Sequence, residues 1–438
     1  MNDRRRLLLA MSLSLGTGLV QAGESVQQDE AGWVNISRFK DRVRDGDWSP
    51  AIQAAIDYVR PDNGYTRGAT VLFPAGRYRI DRPLEIGNNP AHGGLHLLGY
   101  GAVLVGGSAL DGQPLPSAES GMPLAGVPIV RLKTVPEVEE AAYVIEGLSF
   151  DRENGPKGVG IAIPWAEIPK STSFRSIKVF NQDVGIHILN AWQIYFSDCV
   201  FFSNGIGLKI QHQGNNISIL NSVFRRNHYH GLVIGPDQGQ AASNAQFIAG
   251  SIFEANKGYG ILLSSNGQTQ ITGNYFEANG TGIGVMTLWP TTIDTNFFEG
   301  YYGQGWRRTP FADNAHIVVD GARHLRLRNN TYNGVQAWFR RKPDGSRWEY
   351  LPPVEGPIGV TEHRPAPPLQ EPGYEYQERP VTVLITGVFG GRHVFDTVPT
   401  LHQDARVETQ RIGSDDGLHY FQYQPRTHTF IEKDLLGS

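Results

Sequence analysis

The sequence predicts an all-β protein: a right-handed parallel β-helix with an N-terminal capping helix and a Pro-rich C-terminal extension. Three observations predict it. First, a phrase repeats: "SIFEANKGYGILL" from Ser251 is followed by "NYFEANGTGIGVM" from Asn274. Related phrases align with it on Phe180, Phe201, Phe224, Phe253, Phe276 and Phe298, spaced 21, 23, 29, 23 and 22 residues apart. A period in the low twenties marks a solenoid, not a string of separate domains. Second, each period holds three short apolar runs of β-forming residues, such as "ISIL", "SVF" and "GLVI" from Ile217 onward. Three strands per coil fit this pattern. A helical repeat needs apolar spacings of three and four, and a leucine-rich repeat needs a Leu-x-x-Leu-x-Leu frame; neither recurs. Third, glycine is abundant at 52 residues, as a chain that turns several times per coil requires.

Residues 1–22 read as a signal peptide. Arg4, Arg5 and Arg6 precede an apolar stretch from Leu7 to about Val20, and Val20-Gln21-Ala22 is a cleavage site. The arginine run before a Gly- and Ser-containing core has the twin-arginine pattern, with a Sec signal as the alternative. The expectation is an exported protein, periplasmic or extracellular, without stable membrane insertion, because the stretch is short for a permanent span. Next, "SPAIQAAIDYVRP" reads as an amphipathic helix with Ser49 as N-cap, Pro50 first, a face of Ile52, Ala55, Ile56 and Val59, and Pro61 as the stop. Placed before the first coil, it covers the open end of a stack that would otherwise invite edge pairing. "GATVLFPAGRYRI" gives two strands around a Pro-Ala-Gly turn, and the β-helix is expected over residues 30–335. Asn204, Asn227, Asn256 and Asn279 recur at one turn, where stacked amides can form a ladder along the axis. Nine prolines from Pro343 to Pro380 make residues 336–380 an extended arm or linker. Residues 381–438 then form short strands, either a small module or a C-terminal cap.

The helix, the segment "VLFPAGRYRI", the Gly-bounded strand after it and the coils together resemble the pectate-lyase-like superfamily of right-handed β-helices. The likeness is to the branch with rhamnogalacturonase, tailspike and pectate-lyase-3-like members, and it spans roughly Asp45 to Asn333. It implies secreted or surface carbohydrate chemistry, in a superfamily that mixes lyases, hydrolases, epimerases and inactive members. The catalytic signatures of polygalacturonases and of pectate lyases are absent, so no catalytic residue is carried over from them.

The formal net charge of -4 excludes a global basic field, so no nucleic-acid partner is expected. The one cysteine, Cys199, excludes an internal disulfide and reads as a small buried hydrophobe. Chemistry is sought instead in columns, because aligned positions of parallel coils stack about 4.8 Å apart. The position after the aligned Phe reads Phe202, Arg225, Glu254, Glu277 and Glu299. Two carboxylates about 5 Å apart suit a retaining glycosidase, whereas a solvated charged stripe is the plain alternative. The neighbouring turn carries Arg225, Arg226, His228, Tyr229 and His230. Such a set can neutralise a uronate and remove its α-proton, the requirement of a lyase, or it is a polar turn paired to Glu254. Alternation places His187, Lys209, Val233, Leu262 and Gly284 outward on the next strand, so Lys209 with His212 and Asp237 is a further base or substrate-binding set. Trp289, Trp306, Arg307 and Arg308 lie in or near loops that can wall a groove and stack on sugars.

The expected function is therefore an exported enzyme that cleaves or remodels an acidic polysaccharide. A lyase is slightly favoured by the arginines; a glycoside hydrolase and a non-catalytic glycan-binding protein are the alternatives. No cofactor or metal site is expected, with a divalent cation such as calcium left open at the Glu column. The oligomeric state is not legible.

Overall fold

Why the repeat becomes a helix of strands is visible in one coil. In "IFEAN", Phe253 points inward and Glu254 outward, Ala255 turns the chain at φ 54, and Asn256 is buried at the corner. The computed structural model describes residues 32–59, 68–87, 92–111, 127–133, 142–163, 170–235, 244–264, 267–286, 289–299, 315–321, 324–333 and 336–341. It also describes the shorter segments 343–344, 348–351, 375–380, 383–385, 388–389, 393–395, 397, 399–401, 406–407, 411–413, 419–424 and 429–434. The expected signal peptide and Pro61 lie outside these.

Each coil has three faces. The first is a ten-stranded parallel sheet of short strands, including Val200–Phe202, Val223–Arg225, Ile252–Glu254, Tyr275–Glu277 and Phe297–Glu299. The second includes Val159–Ile163, His230–Ile234, Tyr259–Ser264 and Thr281–Met286. The third includes Gln246–Ala249, Thr269–Thr272 and Thr291–Asp294. Two long strands, Val184–Ser197 and Ile206–Leu220, run round the corner between the second and third faces and join them into one sheet.

The core is a file of stacked rings. Phe201, Phe224, Phe253, Phe276 and Phe298 stack with centroids 4.7 to 5.0 Å apart and end against Tyr332. Burying each ring contributes about 1.5–3 kcal/mol, repeated once per coil. Glycine recurs opposite this file for lack of room: a Cβ on Gly231 would lie 2.6 Å from the Gly260 carbonyl oxygen and 3.1 Å from the Phe224 side chain.

Two corner ladders hold the coils in register. Asn204, Asn227, Asn256 and Asn279 form the expected one; each Nδ2 donates to the next Oδ1, at 3.3, 2.8 and 2.8 Å. The second runs through Cys199, Ser222, Ser251, Asn274, Asn296 and Asn330, with each backbone N–H donating to the next side-chain oxygen. Its mixed residue types hid it from the repeat.

The N-terminal helix runs Ser49–Tyr58 with Ile52, Ala55, Ile56 and Val59 buried. Its cap lies one residue earlier than expected, at Trp48. Asp47 does the capping work by accepting from the Ser49 N–H at 2.8 Å, while Ser49 Oγ accepts from the Asp81 and Arg82 N–H groups. The solenoid also passes the boundary expected at 335. Ile317–Val319 pairs in parallel with Val383–Ile385, which pairs in turn with Thr400–Leu401. Residues 336–380 carry an antiparallel three-stranded sheet, Gln336–Arg341 with Trp348–Leu351 and Glu375–Pro380. The prolines thus mark an interruption of the coil pattern that resumes at Val383.

Candidate functional site

On the first face, alternation around the inward Phe file leaves two outward columns. One reads Val200, Val223, Ile252, Tyr275 and Phe297; the other reads Phe202, Arg225, Glu254, Glu277 and Glu299, and every step of both is paired in register. The charged stripe expected from the sequence is therefore continuous.

Its members are not equivalent. Arg225 Nη2 lies 3.0 Å from Glu254 Oε1, so that carboxylate is neutralised by the rung before it. Glu277 and Glu299 are joined by one hydroxyl: Tyr275 Oη lies 3.1 Å from Glu277 Oε2 and closer still to Glu299 Oε2. Burial, then Glu299 and Glu277, push the Tyr275 hydroxyl pKa up, so it stays protonated and acts as a donor. The Tyr275 ring is held by stacking on Phe297, centroids 5.6 Å apart and 3° from parallel. Among the described residues no cation pairs with Glu277 or Glu299. Tyr275 was missed by the sequence reading, although its place two residues before Glu277 on a strand puts it on the same face.

The Arg/His/Tyr set does not come together. Arg226 is an exposed turn residue at φ 53 whose N–H donates to the Glu254 carbonyl at 2.9 Å. His228 is half-buried with Nδ1 3.4 Å from Lys257 Nζ, and burial and then that cation push its pKa down. Tyr229 is 46% exposed, whereas His230 beside it is 1% exposed. Burial, then Lys209, bring the His230 pKa down to about 3. Its Nδ1 accepts from the Tyr259 N–H at 3.0 Å, which fixes a neutral ring in a structural role. That corrects the expectation of a catalytic His230: the polar turn was expected to present it to substrate, but its side chain is buried.

The same holds along the second face. His187, Lys209, Val233, Leu262 and Gly284 are one register column, as expected. Instead of an exposed face, His187 and Lys209 are each 1% exposed, and His187 Nε2 meets Gln211 Oε1 at 2.7 Å. Lys209 is thus packed away from solvent. Position 212 is in the strand Ile206–Leu220, but the His212 side chain, like Asp237, Trp306, Arg307 and Arg308, lies outside the described residues. Trp289 is 49% exposed at the corner leading into the third face. Cys199 is fully buried, and burial pushes its thiol up to about 12.

The fold is that of the pectate-lyase-like right-handed parallel β-helices. DFA-IIIase from Arthrobacter chlorophenolicus A6 in complex with DFA-III superposes with a TM-score of 0.53 at 11% identity, over 88% of this chain and 86% of that one. Tailspike protein 2 of bacteriophage CBA120, enzymatically active domain, gives a TM-score of 0.49 at 11% identity, over 70% of this chain and 43% of the other. The ORF18 protein of Geobacillus virus E2 gives 0.42 at 15% identity over 90% of this chain, which spans 65% of the viral protein. At these identities the likeness is one of fold. No curated protein sequence matches the chain.

A family described as periplasmic copper-binding protein (NosD) matches residues 153–305, whose described residues include coils of the solenoid. Copper needs a cluster of ligands, and among the described residues no group of three or more His, Cys, Asp or Glu side chains could hold a metal ion. Buried Cys199 holds its proton and His230 Nδ1 is committed to the backbone, so the described residues do not fit a copper site. Among the described residues, no helix is long and apolar enough to cross a membrane.

Proposed function

We propose that the protein is an exported enzyme that hydrolyses a glycan at the Glu277–Tyr275–Glu299 cluster. The observation that carries this reading is the pair of carboxylates on successive rungs joined by a single tyrosine hydroxyl. Successive rungs lie about 4.8 Å apart. That is close to the separation of about 5–5.5 Å used by retaining glycosidases, in which one carboxyl is acid and the other nucleophile.

The hydroxyl supports an assignment of roles. The closer contact of Tyr275 is with Glu299, which serves as nucleophile. Glu277, whose Oε2 lies 3.1 Å from the same hydroxyl, takes the role of general acid. Glu277 protonates the leaving glycosidic oxygen while Glu299 attacks the anomeric carbon. The Glu277 carboxylate then takes a proton from the water that releases the sugar. Arg225 and Glu254, two and one rungs upstream of Glu277, are positioned to hydrogen-bond sugar hydroxyls.

Elimination is less well supported. His230 is committed to a backbone N–H, and a Tyr275 with raised pKa is a poor base. A stripe of carboxylates also repels a uronate, which favours an uncharged glycan over the acidic one expected from the arginines. The glycan-active β-helices among its structural neighbours support the ligand class. The signal-peptide pattern and the periplasmic description of the matched family support export.

The test is incubation of the processed protein with a panel of neutral and uronic-acid polysaccharides. New reducing ends without ultraviolet absorbance from an unsaturated sugar are expected. Absorbance from an unsaturated uronate would replace hydrolysis by elimination, and binding without any cleavage would leave a non-catalytic glycan-binding protein.

A further inference from the structure

The third face presents aromatic rings to solvent at a regular interval, and nothing in the catalytic reading uses them. Its outward column runs Tyr195, Ser218, Phe247, Gln270 and Thr292, paired in register on five successive rungs. Tyr195 is 40% exposed and Phe247 37%. Two tryptophans stand at the corner that leads into the face: Trp192 two residues before Ile194, and Trp289 two residues before Thr291. Ile194 and Thr291 belong to one register column, through Ile217, Gln246 and Thr269. Trp192 and Trp289 therefore occupy equivalent positions on the first and fifth rungs, at 41% and 49% exposure.

Exposed rings thus fall on the first, third and fifth rungs, with Ser218 and Gln270 on the rungs between. At about 4.8 Å per rung, Tyr195 and Phe247 lie about 10 Å apart along one column, and Trp192 and Trp289 about 19 Å apart along the corner beside it. The column carries no charge from Tyr195 to Thr292; the exposed Arg326 follows on the next rung. The neighbouring outward column reads Ser197, Leu220, Ala249, Thr272 and Asp294, and its one charge is paired with Arg328 at 3.0 Å.

We infer that this face is a second glycan-binding surface, whose ligand is an uncharged polysaccharide chain lying along the solenoid axis. The inference rests on the glycan reading above and extends it to a site round the corner from the Glu cluster. A sugar ring offers an apolar C–H face that packs on an aromatic ring and a rim of hydroxyls that bond to hydroxyl and amide groups. An extended chain places two sugar rings in about the interval between the exposed aromatics. Every second ring then meets an aromatic, and Ser218 and Gln270 serve the rings between. From Tyr195 to Thr292 the column offers no cation to uronates or sulfates, the exposed Arg326 lying one rung beyond it, which favours a neutral chain over a polyanion.

The experiment is affinity electrophoresis of the full chain in native gels containing glucomannan, levan, dextran or polygalacturonate. Retardation by at least one of the three neutral polymers is expected, and none by polygalacturonate. Tyr195→Ser and Phe247→Gln place on their rungs residues that the same column already carries, so they fold as the parent does. The double variant is expected to weaken retardation at least tenfold, Trp289→Ala to weaken it several-fold, and Phe247→Trp to keep it. Glu277→Gln is expected to abolish cleavage while leaving retardation intact, which separates this surface from the catalytic cluster. The inference is overturned if no neutral polymer retards the protein, if polygalacturonate alone does, or if the double variant binds as the parent does. Loss of cleavage by Glu277→Gln with no effect of the aromatic variants on retardation would keep the catalytic reading and remove this one.

Discussion

Two stripes run side by side along the solenoid, two residues apart in the coils from Asn204 to Asn279, and they are finished differently. The Asn ladder is buried and closed: Asn256 accepts from the Asn227 backbone and side chain, and it donates to the Phe224 carbonyl and to Asn279. The Glu stripe is half-buried and open: Glu277 and Glu299 share one tyrosine hydroxyl, and among the described residues nothing else neutralises them. Both stripes arise from the same repeated "FEAN". Repetition alone therefore marks scaffold, and a candidate site shows where repeated side chains are left with bonding capacity that their neighbours do not use.

The comparison can be broken or sharpened by substitution. The largest effect is expected at the open stripe: Glu277→Gln or Glu299→Gln lowers the cleavage rate by about a thousandfold or more, about 4 kcal/mol of barrier. Thermal melting should change little, because neither side chain holds up the coil. A large loss of melting temperature with activity per folded molecule retained would reverse the roles of the two stripes.

Asn256→Ala should do the opposite. It leaves a buried N–H of Asn227 and the buried Phe224 carbonyl without partners, at a cost of about 2–4 kcal/mol in stability. Urea unfolding reads this directly, with cleavage at low denaturant nearly unchanged.

A smaller effect is set by pH. His230 has a folded pKa of about 3, below its unfolded value near 6.5, so the unfolded chain binds the proton first as pH falls. Its contribution is whole above pH 6.5 and declines below it, by at most about 1.4 kcal/mol per pH unit. His230→Asn keeps an acceptor for the Tyr259 N–H and removes the titration, so its melting temperature should fall less between pH 7 and pH 4.5. Equal slopes for the two proteins would remove His230 from the acid response. The smallest expected effect is at Cys199: with its thiol pushed up to about 12, it should resist thiol reagents at pH 8 until the protein is unfolded. Fast labelling of the native protein would mean that the second ladder opens at its Cys199 end.

How much was legible follows the same division. The Phe file from Phe201 to Phe298, the Asn204-to-Asn279 ladder and the register of Arg225, Glu254, Glu277 and Glu299 were readable, because one aligned Phe per coil sets the position of everything near it; the alignment of Phe180 was one residue off, since Phe180 pairs with Phe202 and Val179 fills the file beside Phe201. The coils after Val383 were not, because the interval rich in proline between Pro343 and Pro380 hides the period. Nor was the fate of His230 and Lys209: alternation says which side of a strand a residue takes, but not whether that side meets water.

By itself, then, the sequence determined the solenoid, its three strands per coil and the columns that share a face, since a fixed period in a parallel stack leaves the register no freedom. Only the tertiary structure decided which columns are closed and which are open. Burial of His230, the sharing of Tyr275 between two carboxylates and the alternate-rung aromatics of the third face depend on contacts between coils and on what covers each face. A repeat records the position of a residue in its own coil, and these properties come from its neighbours.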